Sequence, residues 1–313
     1  MKHLFIINPL AGKKKDQEKF RTSIHEIFRD RDYEIRVTEY AGHAEEIARE
    51  AAQSGEAVRI YACGGDGTLN EVVCGMAGYD NAAMTNVPTG TGNDFLKIFG
   101  PENKVAFCDL AALADGPQTA FDLMDCSGKL GLGVICTGVD ARIAEDVHHF
   151  KRLPLVRGMG AYILSLIVNV IFKGISRPVT VHVDGETIDG KSSLICVCNG
   201  RYYGGGFMPV GEAMPDDGVL DILVVKGVSL PTLARLVGPY GKGQYRKFPK
   251  LIRHFHSTEI TFTYPTESVT VVDGEVVRST HFDVKLSDKK VNFFYPAYVS
   301  YRPESDKACA AAL

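Results

Sequence analysis

In the run Cys63-Gly64-Gly65-Asp66-Gly67-Thr68-Leu69-Asn70-Glu71 an apolar segment stops, three glycines fall within four positions, and a helical pattern begins. Glycines at such a junction let the backbone come close to a phosphate, and a helix N-terminus offers N–H donors and a favourable dipole. An aspartate in that loop repels an anion. Asp66 fits there if a magnesium ion stands between it and the phosphates, or if it organises the loop. A plain glycine-rich turn, with Asp66 capping a helix over Thr68–Gly75, is the reading to set beside it.

Two more polar loops follow apolar segments. Asn8-Pro9-Leu10-Ala11-Gly12-Lys13 comes after the first, and Pro88-Thr89-Gly90-Thr91-Gly92-Asn93-Asp94 after the fourth. Taken singly, each reads as a turn. In an open parallel sheet, however, ligands sit beyond the carboxyl ends of the strands, where such loops gather. Neither a Walker A lysine motif nor a GxGxxG follows any strand, so the P-loop and Rossmann dinucleotide readings are poor.

The elements that must position these loops alternate. Strands are predicted at Leu4–Asn8, Tyr33–Glu39, Val58–Cys63 and Met84–Val87, and helices at Asp16–Phe28, His43–Ser54 and Thr68–Gly75. That order predicts an α/β domain with a parallel sheet and right-handed crossovers. After about residue 120 short strands dominate: Val179–Val183, Leu194–Asn199, Leu220–Val225, Ile260–Tyr264, Val269–Val272 and Phe282–Leu286. Asp184-Gly185, Asp189-Gly190, Asp217-Gly218 and Asp273-Gly274 read as turns between them. The expected second domain is a mainly antiparallel β-sandwich with one helix-like block, Gly158–Lys173. The expected division is residues 1–127 and 128–290, with the tail 291–313 a candidate to return to the first domain.

Composition narrows the classes. At 313 residues the chain is about twice the ~150 of a typical domain, and 45% apolar with 23% charged residues is ordinary globular material. A net charge of −3 and a pI near 6.3 argue against a nucleic-acid partner. The eight cysteines form no CxxC pair, and Cys196-x-Cys198 has no second pair to complete a zinc site. They read as reduced thiols packed as small hydrophobes. The nine histidines show no metal-ligand spacing, and His148-His149 reads as a solvated helix end. The longest apolar stretch, Ala161–Phe172, falls short of the ~20 residues of a membrane span. The expectation is a cytoplasmic protein with no transmembrane segment.

These motifs resemble the diacylglycerol kinase catalytic domain, in its bacterial soluble form. The resemblance rests on Asn8-Pro9 with Gly12, on Gly64 to Glu71, and on Pro88 to Phe95. Further along it rests on Asn199-Gly200 with Gly204-Gly205-Gly206, on Asp217-Gly218, and on Val272-Asp273-Gly274-Glu275. It runs from about residue 3 to 295. The resemblance implies an NAD kinase/diacylglycerol kinase-like first domain and ATP contacts from Asn8, Pro9, Leu10, Ala11 and Gly12. It implies further contacts from Thr38, from Gly65, Asp66, Gly67, Thr68, Leu69, Asn70 and Glu71, and from Thr91. Asp66, Asp94 and Asp122 then form an acidic network linked through water to the magnesium (Mg2+) of the nucleotide. A second, structural Mg2+ is implied on the Asp217 side chain and the Met214 and Val219 carbonyls. Glu275 aligns with the general base. Dimers occur in such kinases, so a homodimer is admitted.

The residues themselves support these assignments unevenly. Pro215-Asp216-Asp217-Gly218 is an acidic turn whose oxygens suit a hard cation, or else a simple hairpin turn. Val183-Asp184-Gly185-Glu186 repeats the tetrapeptide around Glu275, and Asp-Gly favours two-residue hairpins, so only order along the family pattern prefers Glu275 over Glu186. Asn199 to Met208 reads as the lining of an interdomain cleft where a lipid hydroxyl enters, or as a glycine bulge. Lys242 to Arg253 carries five cations, four bulky apolar or aromatic residues and no acid, which suits anionic lipid headgroups as well as a solvated basic face. The reading that results is an ATP-dependent lipid kinase, peripheral to the inner face of a membrane. An NAD kinase-like enzyme with a soluble acceptor, or a non-catalytic nucleotide-binding regulator, stands as the alternative.

Overall fold

A computed structural model describes residues 1–12, 14–90, 92–142 and 174–302. Thr91, Lys13, His148-His149 and the predicted block Gly158–Lys173 lie outside the described residues. The chain divides into two units. Met1–Leu123, Met214–Asp217 and the residues from Ser287 onward make the first, and Met124–Ala213 with Gly218–Leu286 the second.

In the first unit, β1 (Lys2–Ile7) pairs in parallel with β2 (Tyr33–Val37) and β3 (Val58–Gly64), and β3 with β4 (Ala82–Pro88). Helices α1 (Lys14–Phe28), α2 (His43–Gln53) and α3 (Asp66–Met76) connect them. Strand β3 is buried along its whole length, as expected for an apolar strand covered on both faces. Asn292 and Phe293 add a parallel pairing beside β4, through Ala83 and Met84. Phe293 stacks on Phe121, with ring centroids 5.5 Å apart, and packs edge-on to Phe95 at 5.4 Å. After two 3-10 segments, α4 (Leu110–Ala114) ends against Arg59. The Arg59 guanidinium donates to the carbonyls of Leu113, Ala114 and Gly116 at 2.9, 3.0 and 2.7 Å. A buried cation there answers the negative end of the helix dipole and the carbonyls that close the helix.

The second unit is mainly antiparallel. Its strand order is β11 (Ile252–Ser257), β10 (Leu220–Lys226), β9 (Glu186–Cys198), β7 (Val134–Gly138), β12 (Glu259–Val272) and β13 (Glu275–Phe294), the last as far as Leu286. Strand β8 (Arg177–Val183) pairs with β9 and β12, and β6 (Lys129–Gly131) with the end of β5 (Gln118–Cys126). Along β9 alternate side chains enter two cores. Ile195 and Val197 join Phe262 and Phe282, while Leu194, Cys196 and Cys198 join Leu236 and Tyr240 of α5 (Leu230–Tyr240). Period-two alternation with both faces covered makes this run continuously apolar. The described cysteines form no disulfide.

Two local expectations give way. Asp189-Gly190 is no turn but lies within β9, where Asp189 accepts the Thr180 hydroxyl across the β8 pairing at 2.6 Å. Ile260–Tyr264 and Val269–Val272 are two ends of one strand, β12, whose register shifts between Thr263 and Ser268. Pro265 sits in that irregular stretch, where a missing N–H costs no ladder bond. Helix α5 and strands β5, β6, β7 and β11 had no clear pattern of their own. Among the described residues no helix is long and apolar enough to cross a membrane.

Candidate functional site

Three loops at the carboxyl ends of β1, β3 and β4 are tied to one another. Asn8 donates its side-chain amide to Thr68 Oγ1 at 3.1 Å, and its own Oδ1 accepts the Leu10 N–H at 2.9 Å. Thr89 and Gly90 both donate main-chain N–H to the Gly64 carbonyl at 3.2 Å. Such approach needs missing side chains. A Cβ on Gly90 would stand 2.7 Å from the Gly65 Cα, and one on Gly64 would collide with the Thr68 side chain. Thr38 closes the next strand end, with its N–H on the Ile7 carbonyl at 3.0 Å.

Asp66 opens α3 from its first turn; the N-cap is Gly65, so the capping reading for Asp66 does not describe it. Its carboxylate instead reaches the third loop, accepting the main-chain N–H of Asn93 at 2.8 Å and of Asp94 at 2.6 Å. A Cβ on Gly92 would collide with that carboxylate. The loop-organising role is therefore observed.

Other site candidates have structural engagements as well. Glu71 holds the N-terminus of α2, accepting the Gly42 N–H at 2.9 Å and the Ala44 N–H at 3.1 Å. Leu69 and Asn70 are buried on α3, whereas Pro9 and Leu10 are exposed. Asp94 pairs with Lys97, and Asp122 with Lys290 at 2.7 Å. Two of the three carboxylates in the expected acidic network are thus matched by a lysine. Asp122 also donates its N–H to the Pro215 carbonyl at 2.6 Å. In the acidic turn, Asp216 accepts from Tyr301 at 2.8 Å and Arg302 at 2.6 Å, Met214 is buried, and Asp217 is exposed. The oxygens of this turn are the donor type a hard cation takes.

In the second unit the twin tetrapeptides separate. Both Asp-Gly pairs make two-residue hairpins with positive φ, 51° and 72° at Asp184-Gly185, 45° and 95° at Asp273-Gly274. Asp184 is exposed, and Glu186 is tied to Arg253 at 2.5 Å. Asp273 instead accepts three successive N–H groups, from Leu132 at 2.6 Å, Gly133 at 3.0 Å and Val134 at 2.8 Å. The Gly133 carbonyl in turn accepts the N–H of Asn199 at 3.0 Å and Gly200 at 2.7 Å. Glu275, exposed at the first residue of β13, thus follows a turn anchored to the segment that carries Asn199-Gly200. Sequence reasoning missed Asp273, whose partners lie about 140 positions away; its occurrence in the shared tetrapeptide was the signal available.

In Asn199 to Met208 the three glycines form an exposed turn rather than a bulge between packed sheets: Tyr203 and Phe207 bridge across Gly204-Gly205-Gly206, all at positive φ. The Tyr203 hydroxyl donates to half-buried Asp140, whose carboxyl is pushed up by desolvation. In the basic stretch, Tyr245 and Ile252 belong to the core and Arg246 pairs with Glu212 at 2.5 Å. The apolar half of that segment therefore faces inward, and Lys242, Lys247 and Lys250 are exposed.

Comparisons with known proteins agree with this architecture. Residues 2–126 match the family description "Diacylglycerol kinase catalytic domain", and residues 133–294 "YegS C-terminal NAD kinase beta sandwich-like domain". A Pseudomonas aeruginosa protein named "Probable lipid kinase YegS-like" is 32% identical over 243 residues, 74% of each chain. A crystal structure of a diacylglycerol kinase from Bacillus anthracis str. Sterne has a TM-score of 0.69 at 21% identity, covering 96% of this chain and 98% of its own. A second structure from that organism reaches 0.74 at 24% identity with the same coverage. At these identities the two structures speak for the fold.

Proposed function

The chain belongs to the diacylglycerol kinase catalytic-domain family, in the form that carries the YegS C-terminal domain, and on that premise we propose that it transfers the γ-phosphoryl group of Mg·ATP to a lipid hydroxyl, with diacylglycerol the first candidate acceptor and phosphatidic acid the product. The observation that carries the proposal is the knot of three loops around the N-terminus of α3, held by Asn8, Gly64 and Asp66. Its backbone donors and helix dipole suit phosphates. Asn8 to Gly12, Thr38, Gly65 to Thr68 and Thr91 are the proposed nucleotide contacts, and Glu71 serves by fixing α2 beside them.

The donor set of Asp66, Asp94 and Asp122 is all oxygen, as magnesium requires, and magnesium keeps several waters, so these carboxylates act on it through water. When bound, the ion offsets charge on the phosphates. Lys97 and Lys290 keep the carboxylate group from becoming strongly anionic without it. The structural cation is proposed on Asp217 with the Met214 and Val219 carbonyls. Glu275 accepts the proton of the attacking hydroxyl. The lipid acceptor brings the protein to a membrane surface, where exposed Lys242, Lys247 and Lys250 add attraction to anionic headgroups.

The test is transfer of labelled γ-phosphate from Mg·ATP to a panel of acceptors: diacylglycerol, monoacylglycerol, a polyprenol, a sphingoid base and phosphatidylglycerol in mixed micelles, and NAD. Label on a lipid is the expected result and names the acceptor. Label on NAD, or on none of them, overturns the proposal.

A further inference from the structure

Two strands bring a carboxylate and two imidazoles together. Asp221 on β10 and His256 on β11 are register partners, and His254 stands opposite Leu223, on the same face. His254 Nε2 lies 2.7 Å and His256 Nδ1 3.1 Å from one oxygen, Oδ1, of Asp221. The three ligand atoms all lie within 4.8 Å of one another. Ligand atoms around a tetrahedral zinc, with bonds of about 2.0–2.1 Å, sit about 3.3 Å apart. The three donors therefore need little movement to surround a metal.

The surroundings are those of a built site. The Asp221 side chain is 4% exposed and that of His254 15%, whereas His256 is 60% exposed and gives a way in. The other nitrogen of His254, Nδ1, is 3.0 Å from the Tyr245 hydroxyl, and that hydroxyl donates to Glu212 at 2.7 Å. A histidine whose far nitrogen is held in this way has its ring orientation set, as metal-binding histidines usually do. Nitrogen donors exclude the magnesium of the kinase reaction, which takes oxygen.

We propose that Asp221, His254 and His256 form a binding site for a borderline divalent transition metal, zinc foremost, with water completing the coordination. Two imidazoles and one carboxylate are a donor set that zinc accepts. The metal locks β11, the strand at the end of the sheet order, onto β10. Sequence spacing does not show this group because its carboxylate comes from a neighbouring strand, 33 residues before His254.

Isothermal calorimetry of the chelator-treated full chain with zinc chloride tests this, with cobalt(II) absorption as a second reading. The expected result is one zinc per chain and a cobalt spectrum of nitrogen and oxygen ligation. His256→Ala, at an exposed position, should weaken zinc binding at least about tenfold, and Tyr245→Phe by a smaller factor. Absence of stoichiometric zinc binding, equal binding by His256→Ala, or a thiolate–cobalt band overturns the proposal. None of these readings depends on kinase activity.

Discussion

Asp66 accepts the main-chain N–H of Asp94 at 2.6 Å, across 28 positions of sequence, and so one carboxylate joins the start of α3 to the loop after β4. Hydrogen bonds to a charged acceptor contribute about 1.5–3 kcal/mol each. Asp66→Ala loses two of them and should lower unfolding stability by about 3 kcal/mol or more, read by urea titration, while the fold survives. Turnover should fall at least about a hundredfold, since in the proposed reaction the same carboxylate orders the phosphate loops and acts toward magnesium. Near-normal turnover in this variant contradicts both roles.

Asp273 and Asp184 occupy equivalent places in twin turns, yet only Asp273 is seen to gather three main-chain N–H groups. Asp273→Ala strips three main-chain donors of their shared acceptor in a half-buried turn and should cost at least about 3 kcal/mol. Asp184→Ala, at an exposed turn, should stay within about 0.5 kcal/mol. Equal losses in thermal unfolding would show that the three contacts carry no net energy.

Burial holds His3 down to about 4, with repulsion from Arg31 and Arg59 adding to it; the imidazole lies among Phe28 and Tyr61. The unfolded chain has an ordinary histidine near 6.5, so between those values it binds more protons than the folded protein. Stability from this group is complete above about pH 6.5 and is lost as pH falls toward 4, by at most about 3 kcal/mol. The pH dependence of chemical unfolding should flatten in that window in His3→Gln. An unchanged slope would remove His3 from the account.

Arg59 satisfies three carbonyls at the end of α4 and lies 4.7 Å from the Phe294 ring centroid. Arg59→Met keeps most of the side-chain volume but leaves those acceptors buried. The expected loss is about 2–4 kcal/mol in denaturant unfolding; a loss under about 0.5 kcal/mol would mean that water replaces the guanidinium.

What the sequence made legible follows from how local each signal is. Strand β1 carries the apolar run Leu4–Ile7 and β3 the run Ile60–Cys63, ended by Asn8 and by Gly64-Gly65, and α2 repeats Ile47, Ala48 and Ala51 at helical spacing, so each could be read from neighbouring residues alone. The single strand β12 could not, because Pro265 interrupts its pattern while pairing continues on either side. Nor could the partners of Asp66 and Asp273. A carboxylate that accepts main-chain N–H groups leaves no mark on the residues that donate them, since every residue except proline has that donor. The same holds for Asp221, His254 and His256, which the β10–β11 register alone brings together. The three phosphate-loop candidates were readable as loops, and their contacts only from the fold.

The measurement that tests the central claim most directly sets Glu275→Gln beside Glu186→Gln in phosphoryl transfer to the lipid acceptor. Removing a general base costs about 10²–10⁴ in rate, whereas an exposed ion pair such as Glu186–Arg253 contributes ~1 kcal/mol or less and no chemistry. The account predicts that Glu275→Gln loses at least about a hundredfold in turnover with unchanged thermal stability, and that Glu186→Gln retains it. Equal retention by both variants, or loss confined to Glu186→Gln, contradicts the assignment of Glu275 as the base.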